Sequence, residues 1–341
     1  MKFTLPVLAA VILLAATPAL ADESVGTAMR GSDLPGSDLR QAVPAPTVEV
    51  AEAPRFVRPI CCRRTTFEVH AAYLHQLEQD VGDGDLSVDR LFTQVRWGRE
   101  FSRSFSAAIS LGYRRDMHDF GGTPLPASGA PAGVEPWGDV NMLSITVPML
   151  IRVNHRWSIR ALPTVRTVFE DDADIDKGFA AGIVTGPVYR VNNRLFIGPA
   201  IGVISQIEDD PLIFPFVFVD WQISRKLALR TGRGLGATLG LGLFLDYDVN
   251  RKLRLSLGGR ADTMRFRLDD KGVAPGGVGQ HSTLSGIVSA TWKISRRLEA
   301  TLAGGLSVGN ELLLEDRNGN RLAKEEYDPA GILGFALRLE L

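Results

Sequence analysis

Cysteine is nearly absent, with two residues in 341. That excludes a disulfide-stapled scaffold and a cysteine-rich zinc module. Net charge is nearly absent too, at −1, so the chain has no global basic field for nucleic acid. Histidine is scarce, with five copies, and no HExxH, Walker loop or GxGxxG after a strand occurs. A mean hydropathy of +0.05 is low for a helical membrane protein. A hydrophobic share of 45% is too high for a disordered chain. These absences predict no enzyme activity, no cofactor, no bound metal and no nucleic-acid partner.

What is present begins with an address. Met1–Ala21 joins a basic Lys2, an apolar run over Leu5–Ala16 and an Ala19-Leu20-Ala21 cleavage site. That is the pattern of a secretory signal peptide. Residues 22–64 show no periodicity and contain Pro35, Pro44, Pro46, Pro54 and Pro59. They are expected to form a flexible periplasmic arm. Cys61 and Cys62 close it. Neighbouring cysteines bridge only through a strained ring, and the pair is given no function.

From Thr65 onward one short pattern recurs. It reads Trp221-Gln-Ile-Ser-Arg-Lys-Leu227, Trp292-Lys-Ile-Ser-Arg-Arg-Leu298, Tyr189-Arg-Val-Asn-Asn-Arg-Leu195 and Tyr247-Asp-Val-Asn-Arg-Lys-Leu253. Ile151–Trp157 is a variant with its aromatic last, and Phe101–Phe105 a looser copy. Asn and Ser bond nearby backbone and tolerate tight turns. The flanks alternate: Leu333, Phe335, Leu337, Leu339 and Leu341 oppose Gly334, Ala336, Arg338 and Glu340. Period two over about ten residues, repeated, predicts long antiparallel strands joined by hairpins.

A secreted soluble β-protein and a transmembrane barrel both fit that much. Strands of about 9–11 residues match a tilted membrane crossing, whereas soluble strands usually run about 5–6. Connections alternate short and long, as in outer-membrane barrels. Trp97, Trp157, Trp221 and Trp292 sit beside the short turns, as an interfacial girdle would. The expected fold is therefore an all-β, antiparallel up-and-down barrel over residues 65–341, in a Gram-negative outer membrane. Fourteen strands are counted, with twelve if the hairpin Leu227–Val249 is misread.

The C-terminal half adds Arg265-Phe-Arg-Leu-Asp-Asp270, Gly277-Val-Gly279, Asp316-Arg-Asn-Gly-Asn320 and Glu326-Tyr-Asp-Pro-Ala330. On these residues, Leu227–Leu341 resembles an uncharacterised, domain-of-unknown-function family of proteobacterial outer-membrane β-barrel proteins. The resemblance implies a fold and a location, and no activity.

Alternate positions give a list of lumen residues. The pore-lining candidates are Arg160, Arg166, Arg190, Arg254, Arg260 and Arg265, with Asp246 and Asp262 among fewer acids. Arginine lining a pore favours anions; the same residues paired into salt bridges would fill the barrel instead. Phe214, Phe216 and Phe218 face inward on a strand apolar on both sides, suiting a hydrophobic ligand or simple packing. Acidic clusters at Glu78–Asp89, Glu170–Asp176 and Glu208–Asp210 mark the outer loops. Asp316-x-Asn318-Gly-Asn320 fails as an EF-hand and reads as an Asn-Gly turn. His281 has Ser282 beside it, but strand neighbours point to opposite faces, which argues against catalysis. The expected function is a porin-like channel for small solutes with weak anion preference. The rivals are a closed structural or adhesion barrel acting through its acidic loops, and a transporter of hydrophobic compounds. Expected partners are outer-membrane lipid, the barrel-assembly machinery, small solutes and further copies of the chain.

Overall fold

The structure, a computed structural model, describes residues 65–125, 134–232 and 241–341. The signal segment 1–21, the arm 22–64 with both cysteines, and most of the outer loop after Thr231 lie outside the described residues.

The described chain is all β apart from one short 3-10 turn, Ile175–Gly178. The strands are β1 (Thr65–Val81), β2 (Asp83–Glu100), β3 (Phe105–Thr123), β4 (Val140–Thr146), β5 (Met149–Arg152), β6 (Trp157–Glu170), β7 (Phe179–Arg190) and β8 (Leu195–Gln206). After them come β9 (Asp209–Gln222), β10 (Leu227–Thr231), β11 (Leu241–Asp248), β12 (Leu253–Arg267), β13 (Val278–Lys293), β14 (Leu298–Glu315), β15 (Arg321–Tyr327) and β16 (Ala330–Glu340). β4 and β5 are two halves of one crossing, interrupted at Val147-Pro148. β15 pairs only with the far end of β14. Antiparallel pairing runs from β1 round to β14, then β14 to β16 and β16 back to β1. The result is a closed barrel of fourteen strands, as the sequence predicts.

The recurring turn motif has one physical cause. At Ser102, Asn154, Asn192, Ser224, Asn250 and Ser295 the side-chain oxygen accepts the backbone N–H groups two and three residues on. Each reverses the chain in a few residues, and all six lie on one rim. Trp97, Trp157, Trp221, Trp292 and Tyr247 are exposed just inside that rim. Above them an outward belt of Ile, Leu and Val continues round the wall, with Leu111, Ile145, Ile201, Leu257, Leu302 and Leu333 each about half exposed. An outward apolar belt and a polar inside are what a hydrocarbon environment demands.

The opposite rim is uneven. β2 and β3 have 18 and 19 residues, where a membrane crossing takes about 9–11. β10 has five. The tall strands do not stand free in water. β12 leans across the mouth and forms a parallel bridge from Arg267 to Phe169 of β6. Between the leaning strands lies an apolar core that includes Leu86, Val88, Phe120, Val140, Val168, Phe266, Leu312 and Leu314. In the stretch Asp116–Trp137 the strand β3 continues as far as Thr123. Beyond it, Trp137 enters this core at 3% exposure. The acidic segment Glu78–Asp89 is likewise strand, turning at 82. The Asn-Gly turn is present: Asp316 accepts from the Asn318 and Asn320 N–H groups at 2.8 and 2.9 Å. The Asn320 amide, donating to it at 2.9 Å, holds its carboxyl below the ordinary aspartate range.

Candidate functional site

Inward positions alternate along every strand, so the lumen can be read in layers from the short-turn rim. The first layer is charged and paired. Arg338 bridges Glu68 at 2.9 Å and Glu299 at 3.4 Å. Arg254 donates to Asp248 at 2.8 Å. Arg190 donates to Asn193 and lies 5.9 Å above the Phe196 ring.

In the second layer Arg230 ties three strands together. It reaches Asp220 at 3.2 Å, Asp246 at 2.9 Å and Gln222 at 3.1 Å. Ser256 donates to Asp246 at 2.8 Å. Arg160 sits 5.7 Å over the Phe218 ring. Beside it, Val188, Phe196 and Phe218 form a small apolar cluster with Val184, Ala200 and Phe216. The inward reading of Phe214, Phe216 and Phe218 is thus the packing one for Phe218 and its neighbours.

The third layer crosses the lumen. Asp116 is fully buried and receives Arg114 at 2.6 Å and Arg90 at 3.3 Å. Arg114 also reaches Asp262 at 2.8 Å, and Arg260 reaches the same carboxylate at 2.9 Å. β3 and β12 lie on opposite sides of the ring. A round ring of fourteen strands tilted by about 40° is roughly 28 Å across. An arginine and an aspartate together do not span that, so the β12 wall is bent inward to meet β3. Arg166 faces this layer, with its Nε buried and without a hydrogen-bond partner among the described residues.

Above, the layer changes character. Arg90 donates to Gln76 at 3.0 Å, and Gln76 to the Tyr327 hydroxyl at 3.0 Å. His281 lies 2.6 Å from the same hydroxyl. His118 is buried among Phe120, Trp137 and Phe266, with neither ring nitrogen hydrogen-bonded among the described residues. The apolar core lies directly above.

Arg160, Arg166, Arg190, Arg254, Arg260, Asp246 and Asp262 lie at inward-alternating strand positions. The structure pairs Asp246 with Arg230, and joins Asp262 to Arg114 and Arg260. Arg265 is the correction. It lies between Met264 and Phe266, both of which face the apolar core, and so points the other way. Its guanidinium is buried against the β8–β9 hairpin, donating to the Ile207 carbonyl at 2.6 Å and pairing with Glu315. Arg267 does the same with Glu208 at 2.6 Å. Two arginines thus clamp an outer hairpin onto the back of the leaning wall. The residues that alternation missed are Gln76, Asp116 and Tyr327, because the strands were expected to stop at membrane thickness. Asp116 was legible in principle: Arg114, Asp116, His118 and Phe120 continue the same face. Among the described residues no group of three metal-ligating side chains comes together.

The family model described as Domain of unknown function (DUF6268) matches residues 139–339, and the chain belongs to that family. Among solved structures, the COG4313 outer membrane channel from Pseudomonas putida F1 is similar at 11% identity and a TM-score of 0.46, covering 84% of this chain and 100% of that one. The KdgM porin in complex with disordered oligogalacturonate is similar at 10% identity and a TM-score of 0.33, covering 79% and 98%. No curated protein matches.

Proposed function

We propose that this barrel is an outer-membrane channel, closed at rest, that passes small solutes with a weak preference for anions. The observation that carries the reading is the cross-lumen bridge at Asp262, directly beneath the apolar cap. A wall held inward by ion pairs forms a gate, since water entering the lumen can replace those pairs. When β12 swings back, Arg90, Arg114 and Arg260 line the passage with Arg160 and Arg166. Arginines outnumber carboxylates on the inward face, so the field inside attracts anions and resists cations. The signal segment and the lipid-facing belt support export and insertion by the assembly machinery, with outer-leaflet lipid around the wall. Further copies of the chain are expected neighbours.

The test is a planar-bilayer recording of the full chain. The expected result is infrequent single-channel openings, with a reversal potential displaced toward the chloride equilibrium. Replacing Arg160, Arg166 and Arg260 together by Gln should move that potential toward the cation side. Absence of conductance at every voltage would overturn the channel reading in favour of a closed structural barrel acting through its acidic loops. Conductance whose selectivity ignores the triple substitution would overturn the assignment of anion preference to these arginines.

A further inference from the structure

We propose that uncharged apolar molecules pass between the bilayer and the barrel interior through the wall itself, at a seam between β7 and β8. The ladder joining these strands pairs residues 182–185 with 201–204, and resumes with Tyr189–Ile197 and Arg190–Phe196. Stepping two residues in from either flank places Pro187 opposite Pro199. The hairpin closes with the Val191 N–H donating to the Leu195 carbonyl at 3.0 Å, which makes the odd-numbered pairs the hydrogen-bonded ones. Pro187 and Pro199 therefore occupy a rung at which each should donate to the other. Neither has an N–H. From Thr185 to Tyr189, about 14 Å of wall is joined by no N–H···O=C bond.

Each of these prolines follows a glycine, Gly186 and Gly198. A methyl group at Gly186 would collide with the Pro199 carbonyl, and one at Gly198 with the Pro187 carbonyl. The seam is thus closed by Cα–H groups set against carbonyls, contacts weaker than an amide hydrogen bond. No water is available in hydrocarbon to strengthen it.

The seam is flanked by apolar side chains, with Arg160, the cross-strand neighbour of Gly186, set over Phe218 on the lumen side. Outside, Ile183, Ile197 and Ile201 face lipid. Inside, Val188, Phe196 and Phe218 form their cluster with Val184 and Ala200. A molecule crossing here exchanges one apolar surface for another and sheds no hydration shell. That fits a hydrocarbon or neutral aromatic and rejects ions. The route bypasses both the capped mouth and the arginine bridges, so it stands apart from axial conduction.

The experiment uses the full chain with Cys61 and Cys62 replaced by Ser, reconstituted in phosphatidylcholine vesicles. Ala200→Cys places a thiol behind the seam, and Ile201→Cys places one on the lipid face. The probe is N-pyrenylmaleimide dissolved in the bilayer. Ala200→Cys should react with it, and adding P187V and P199V should slow that reaction about tenfold, the effect of two restored amide hydrogen bonds on an opening equilibrium. Labelling of Ile201→Cys should not change. Should the double variant lose its heat-dependent shift on gels, P187V and P199V alone each restore one donor and should each slow the reaction about threefold. Labelling of Ala200→Cys by a sulfonated, water-borne maleimide alone would overturn the proposal, as would a rate that ignores the proline replacements. Neither outcome touches the reversal-potential test of axial conduction.

Discussion

Replacing Asp262 by Asn tests the cross-lumen gate most directly. The carboxylate is shared by Arg114 and Arg260, whose side chains are 6% and 8% exposed. Removing one partner of a buried ion pair costs about 3–5 kcal/mol, because a charge is left without compensation out of water. Arg114 keeps Asp116 at 2.6 Å, so the loss should fall at the low end, about 3 kcal/mol. The fair control is Asp248→Asn. It removes a 2.8 Å pair to Arg254 in which the carboxylate is 41% exposed and the arginine 23%, and exposed pairs contribute about 0–1 kcal/mol. Urea unfolding in vesicles, followed by tryptophan emission and gel mobility, measures both. If the bridge holds β12 inward, most of the loss falls on the closed state. Open probability in bilayer recordings should then rise on the order of 100-fold for Asp262→Asn. Equal stability and equal open probability in the two variants would refute the gate.

Phe266 is fully buried in the cap; Phe266→Ala should cost about 3–5 kcal/mol and raise conductance, checked by urea unfolding and single-channel recording. Leu257 is 58% exposed on the lipid face, and Leu257→Arg should destabilise by about 2–4 kcal/mol. Ser256→Arg, one residue along and beside Asp246, should cost less than half of that in the same unfolding assay. An epitope inserted at Asp172 should bind antibody on intact cells and one at Asn193 should not, since the short-turn rim is expected inside; the reverse pattern would invert the topology.

The ring was legible because its causes are local. Six turns share one side-chain device, and the girdle and alternation repeat with each hairpin. The strand count survived even where β4 and β5 break, because Pro148 interrupts the ladder without changing the number of crossings. Lumen residues near the short-turn rim were legible for the same reason: there the inside is wet and charged, so polarity marks the inward face. Polarity misleads where that premise changes. Above Asp262 the interior is apolar, and the inward residues of β12 become Met264 and Phe266. Polarity then marks the outward face, covered by the β8–β9 hairpin, and Arg265 was assigned to the wrong side.

The cross-lumen bridge itself had no local signature. Arg114 and Asp262 are 148 positions apart, and each lies on a strand that alternates normally. What brings them together is unequal height. β2, β3, β13 and β14 each have 16 to 19 residues, and their inward faces beyond the membrane carry Leu86, Val88, Phe120, Leu312 and Leu314. Left in water, each of those side chains would forgo about 1.5–3 kcal/mol of burial free energy. Two tall walls with apolar inner faces lower that cost by leaning together, past the five-residue β10. The meeting of the walls is thus a consequence of strand length and polarity acting jointly, and the Asp262 bridge is what the polar layer just below must form once they have met.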